Sequence, residues 1–109
     1  MLPTGQLMGW QTEHDLHRDL QVHTELFVER IDGPMVPKDI VVDGLLDIRN
    51  LGHGRDLGLE LTVDEMLEEL PAGRRISSEW WMHCLATFAD HAAFLAAGYP
   101  PTHPELEAA

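Results

Sequence analysis

One segment near the C-terminus constrains the fold more than any other part of the chain. It runs from Ser77 to Tyr99 with the sequence SSEWWMHCLATFADHAAFLAAGY. Ser77 or Ser78 can cap the first free amides of a helix, and Gly98, which two prolines follow closely, is typical of a helix end. A helix of about 20 residues is about 30 Å long, as long as a small domain is wide. We therefore predict a long helix here, against which the other elements pack.

Apolar residues recur along this helix at alternating intervals of four and three, which is the spacing of a buried face. The buried stripe is predicted to contain Trp81, Leu85, Phe88, Ala92, Leu95 and Tyr99. Trp80 points about 100° away from Trp81, so we expect it at the core edge or against a partner, because tryptophan is common among interface anchors. Alternatively, Trp80 completes the core. Cys84 is expected to be a small buried hydrophobe.

Three other segments show the two-residue alternation of β-strands. They cover about 20–31, 40–49 and 57–61, and the glycine-rich segment 50–55 suits the loop of an antiparallel hairpin between the last two. Residues 62–70 are predicted to form a short helix that Thr62 caps.

These elements predict an α+β fold of two layers, in which an antiparallel sheet of about three strands is covered by the one long C-terminal helix. The alternative is an all-α fold, because 15–31 and 38–51 can also be written as helices. With 109 residues, the chain suits a single domain, with an irregular arm at 1–11 and a polar tail at 100–109.

The composition and the N-terminal sequence predict a soluble cytoplasmic protein. Residues 1–20 have neither a basic start nor a continuous apolar run, so we expect no signal peptide and no membrane span. A single cysteine excludes an internal disulfide, which fits a reducing compartment. Lysine and asparagine each occur once, a usage that fits the GC-rich codons of some bacteria and their phages.

The charge of the chain narrows the class of partner. The net charge is −12, from 19 acids against 7 lysines and arginines. Binding to a phosphate backbone draws its energy from clustered basic residues, so we expect no nucleic-acid partner. A dispersed acidic surface instead favours solubility or docking on a basic protein.

A candidate metal site spans the start of the first predicted strand and the residues just before it. Residues two apart on a strand point the same way and stand about 7 Å apart, close enough to share a metal ion. The candidate ligands are His17, Asp19, His23 and Glu25. The same pattern describes any solvated sheet face, so we expect no metal, no cofactor and no catalytic residue.

Another set of residues predicts an interaction surface. Four apolar residues should lie on the solvent-facing side of the sheet, namely Phe27, Ile31, Val41 and Leu45. Trp80, Asp43 and Asp47 complete the interface candidates. We therefore expect a non-catalytic protein-binding or regulatory protein, such as an inhibitor. The alternatives are a structural subunit of a homo-oligomer or larger assembly, and a metal-dependent enzyme using the His and acid face.

Overall fold

A computed structural model describes the backbone of residues 4–98 and the side chains of residues 16–98. This part of the chain is helix-rich, with four helices and one two-stranded antiparallel sheet. In chain order the elements are α1 (Thr4–Glu29), β1 (Met35–Pro37), α2 (Lys38–Gly52), α3 (Leu57–Glu68), β2 (Arg75–Ser77) and α4 (Ser78–Ala96). The polar tail predicted for 100–109 lies outside the described residues.

The chain passes twice through the same sequence of helix, loop, short strand and helix. In each loop a glycine adopts a positive φ, Gly33 at 99° and Gly73 at 102°, a conformation that side chains disfavour. Three residues later come Val36 and Ile76, which are buried and face each other at the centre of the β1–β2 ladder. The two helix–loop–helix halves are therefore joined at their loops.

Two backbone hydrogen bonds extend this ladder symmetrically. The amide of Lys38 donates to the carbonyl of Arg74, and the amide of Ser78 donates to the carbonyl of Pro34, each at 2.8 Å. The donors are the first residues of α2 and α4, whose amides have no partner within their own helix. The first turn of each second helix is thus stabilised by the loop of the other half.

The prediction of a long C-terminal helix is confirmed by α4. Ser77 caps it, with its Oγ accepting a hydrogen bond of 3.1 Å from the Glu79 amide. Beyond its end, Gly98 adopts a φ of 100°. The predicted stripe members from Trp81 to Leu95 are buried, with Trp81 only 1% exposed, and Tyr99 lies outside the described residues.

The predicted three-stranded sheet is wrong, because α1, α2 and α3 occupy the segments assigned to strands. In α1 the buried line is Leu16, Leu20, Thr24 and Phe27, and in α2 it is Val41, Gly44, Leu45 and Ile48. Both lines have the three- and four-residue spacing of a helix. The strand-like alternation of apolar residues at 40–49 included Ile40 and Leu46. These two side chains are 49% and 42% exposed and are not part of the buried face.

Two further assignments are corrected by the helix bounds. Helix α1 begins at Thr4, so most of the arm predicted at 1–11 is helical. Helix α3 begins at Leu57 rather than Thr62, because the buried side chain of Asp56 caps it by accepting from the Leu59 amide. The predicted hairpin loop at 50–55 contains the end of α2 and part of the connection to α3.

None of the helices within residues 4–98 combines the length and apolar character needed to cross a bilayer.

Candidate functional site

A glycine on α2 determines where the ring of Trp81 lies. A Cβ atom placed on Gly44 would come within 3.0 Å of two Trp81 ring atoms and within 3.4 Å of the Phe27 ring. The Phe27 and Trp81 rings themselves pack at a centroid distance of 5.8 Å and an angle of 42°. Gly44 therefore allows two aromatic side chains to pack against the α2 backbone.

A pocket of about 340 Å³ opens beside these rings. Its lining comes from the end of α1, the following loop, the ladder, α2 and α4, and it includes Phe27, Gly44 and Trp81. The lining also includes Met35 and Ile40, which are 40% and 49% exposed. The result is an apolar concavity that solvent reaches.

The charged residues that line this pocket are divided between its two sides. Asp43 and Asp47 come from α2, where a spacing of four places them one turn apart on the same side of the helix. Arg30, Asp32 and Arg75 come from the loop and ladder side. None of the ion pairs found within residues 16–98 engages these five residues. The α2 side of the pocket is therefore negative.

The structure brings together some of the predicted interface residues and separates others. Phe27, Ile31, Asp43 and Asp47 all line the pocket. Val41 and Leu45 are fully buried, and Phe27 is 8% exposed, so the prediction that these three face solvent is wrong. They lie on helices whose buried faces they form.

Trp80 lies outside the lining of this pocket and is partly buried against the core. Sequence reasoning missed Met35 and Ile40 as lining residues. In a strand with Val41 facing solvent, Ile40 would face inward, whereas in helix α2, where Val41 and Leu45 are buried, Ile40 is exposed.

The candidate metal ligands His17, Asp19, His23 and Glu25 lie on helix α1, so the strand face that suggested them does not exist. Residues two apart on a helix do not face the same side, so His17 and Asp19 diverge. His23 Nδ1 lies 2.8 Å from the backbone carbonyl of Asp19, and the Gln21 side chain donates to Glu25. Within the described part of the chain, no group of three or more His, Cys, Asp or Glu is arranged to hold a metal ion.

The two loops of the helix–loop–helix halves also bear on metal binding. A calcium-binding loop of this kind supplies six or more oxygen ligands, mostly from carboxylates. Between α1 and α2 the one acid is Asp32, and between α3 and β2 it is Glu69. Neither loop has the ligand set for Ca²⁺.

A polar cluster that the sequence did not indicate joins α2 to α3. Arg49 contacts both oxygens of Asp64, at 2.7 and 3.2 Å, and lies 3.4 Å from Glu60. The hydrogen bond from His53 is the main cause that lowers the pKa of Glu60. The hydrogen bond from Arg49 lowers the pKa of Asp64 and raises that of Arg49. This cluster has a structural role, because it fixes two helices through charge-assisted hydrogen bonds.

A second polar contact joins α4 to the start of α3. His91 Nε2 lies 2.5 Å from Oδ2 of Asp56, the fully buried residue that caps α3. Beside it lies a more open pocket of about 360 Å³, which Thr62, Thr87 and Phe94 help to line.

Cys84 is buried, as predicted, and 3% exposed. Burial raises the pKa of its thiol to about 11, and the charge of Glu69 adds to the shift. A thiol of this kind is a poor nucleophile at neutral pH, because the thiolate is the reactive form.

Comparison with protein-family models, with curated proteins and with solved structures gave no match for this chain.

Proposed function

We propose that this chain is a non-catalytic binding protein that acts through contact with another protein. Its acidic surface would speed the encounter, and the pocket beside Phe27 and Trp81, which we call the α1–α2 pocket, would supply affinity. One observation carries the proposal: exposed apolar residues, Met35 and Ile40, surround a concavity that already has an aromatic floor. A few contacts made in well-packed pockets at the centre of an interface usually contribute most of its binding energy.

The charge supports the same proposal. Complementary charge raises the association rate, whereas aromatic and aliphatic burial mainly slows dissociation. A net charge of −12 is suited to attracting a basic partner from a distance. The cytoplasm is the compartment we propose, since one buried cysteine needs no oxidising environment.

The alternative functions have less support. The proposal of a homo-oligomeric subunit rested on apolar residues facing solvent, of which Phe27, Val41 and Leu45 are buried. Copies of a chain with this net charge also repel one another. The proposal of a metal-dependent enzyme rested on a strand face, and His17 and His23 lie instead on a helix.

Two matched variants test the proposed function. Ile40 and Leu61 are exposed to similar extents, 49% and 45%, but only Ile40 lines the α1–α2 pocket. Tagged wild type, Ile40→Asp and Leu61→Asp would be purified from the native host, and any associated protein would be identified by native mass spectrometry. We expect one protein to associate with the wild type and with Leu61→Asp but not with Ile40→Asp. Equal recovery with all three forms, or association that only Leu61→Asp abolishes, would contradict the proposed site.

A further inference from the structure

We infer that the α1–α2 pocket recognises a basic protein segment in which lysine or arginine flanks one large apolar side chain. This inference rests on the proposed function and deepens it, because it names the chemistry of the partner. It follows from the position of the pocket's charges relative to its apolar floor.

The apolar lining of the pocket suits a large apolar side chain of the partner. The Trp81 ring occupies the space that a side chain at position 44 would need, and both Gly44 and Trp81 line the apolar concavity between α1 and α2. Phe27 borders it, and the exposed Ile40 side chain stands at its edge. A large apolar side chain entering this space would remove apolar surface from water on both partners, which is favourable in proportion to the area buried.

The acidic residues of α2 suit a basic residue beside that apolar side chain. Asp43 and Asp47 are exposed, line the pocket one turn apart, and take part in none of the ion pairs found within residues 16–98. A lysine or arginine beside the apolar anchor would meet both carboxylates. An acidic segment in the same place would face two like charges, and like-charge contact disfavours a partner.

The arginines of the pocket set the orientation of the partner. Arg30 and Arg75 lie on the loop and ladder side, together with Asp32. A basic segment is therefore directed along α2 and away from the ladder. Replacing Arg75 should therefore not weaken binding of the basic segment. If the pocket instead recognised an acidic group through its arginines, the same replacement would weaken binding.

Three synthetic peptides of equal length test the inference. The first carries a central tryptophan flanked by lysines, the second has glutamates in place of the lysines, and the third has serine in place of the tryptophan. Each is titrated into ¹⁵N-labelled protein, and dissociation constants are fitted from the backbone amide shifts, including that of Gly44.

We expect the peptide with lysines and tryptophan to shift the amide resonance of Gly44. It should bind at least about 10-fold more tightly than the other two peptides, because each of those lacks either the basic flank or the apolar anchor. Asp43→Asn with Asp47→Asn should weaken it by about 3- to 10-fold, as the loss of two exposed ion pairs implies. The matched control neutralises two exposed acids of α3, Glu65→Gln with Glu68→Gln, and should leave the affinity within about 2-fold.

Several results would overturn the inference. The peptide with lysines and tryptophan could fail to bind, or the glutamate peptide could bind more tightly. The α2 and α3 double variants could weaken binding equally, or Arg75→Gln could abolish it. The proposed function would survive each of them if a host protein still associated in an Ile40-dependent way. Loss of that association, by contrast, would contradict the proposed function itself.

Discussion

The Trp81 ring lies directly against the α2 backbone at Gly44, where an added Cβ atom would approach two ring atoms to 3.0 Å. Trp81 is 1% exposed and Gly44 is buried, so neither can move without repacking the core. This contact joins α2 to α4 and forms the floor of the α1–α2 pocket.

The Gly44 contact predicts that a larger residue at this position destabilises the fold. Gly44→Val should lower the free energy of unfolding by about 1 to 3 kcal/mol, the usual cost of overpacking a core. Chemical denaturation would measure it. Because Trp81→Phe removes ring atoms near Gly44, the two substitutions together should cost less than the sum of their separate effects. Strictly additive costs would show that Gly44 and Trp81 are not in contact.

The adjacent tryptophans should differ sharply in their contributions to stability. Trp81→Ala should cost about 3 to 5 kcal/mol, a large part of the 5 to 15 kcal/mol typical of a domain. Trp80 is only partly buried against the core, so Trp80→Ala should cost clearly less. Urea denaturation of the two variants provides the comparison. An equal or larger cost for Trp80→Ala would contradict the orientation of α4 described above.

Stability should fall at acid pH through the cluster that joins α2 to α3. The pKa values of Glu60 and Asp64 are lowered from their usual 4.5 and 3.8. A carboxylate with a lowered folded-state pKa contributes stability above its unfolded pKa, and that contribution is lost as pH falls through the folded pKa. Unfolding free energy should therefore decline below about pH 5.

Arg49→Gln tests the cause of this decline. Asp64 would lose the hydrogen bond that chiefly lowers its pKa, so the variant should be less stable than wild type at pH 7, and the difference should shrink below about pH 4. Arg74→Gln, at an exposed loop position, is the control and should follow the wild type. A difference between Arg49→Gln and wild type that stayed constant from about pH 7 to about pH 3 would exclude this mechanism.

The sequence predicted α4 correctly because its cap, its buried stripe and its glycine end agree with one another. The strands predicted in the first half of the chain were wrong, because exposed apolar residues there produce the two-residue alternation that is typical of a strand. Val22, Leu26 and Val28 are all more than 40% exposed, yet with Leu20 and Thr24 they complete a two-residue pattern. Strands β1 and β2 have three residues each, too few to show any period.

The residues that line the α1–α2 pocket could be predicted only in part from the sequence. Phe27, Ile31, Asp43 and Asp47 were selected as interface candidates, and all four line it. The contact between Gly44 and Trp81 joins positions 37 residues apart, and the sequence contains no pattern that pairs them. Tertiary packing, rather than local periodicity, brings the aromatic floor and the α2 aspartates together.

The kinetics of binding to the associated host protein test the central claim most directly. Association and dissociation rates would be measured for wild type, Ile40→Ala and Leu61→Ala at about 0.05 and about 0.5 M salt, where the screening length falls from about 14 to about 4 Å. Higher salt should lower the association rate far more than it raises the dissociation rate. Ile40→Ala should instead raise the dissociation rate by about 5- to 30-fold, with Leu61→Ala unchanged. Association that is insensitive to salt, together with equal dissociation rates for all three forms, would contradict the account.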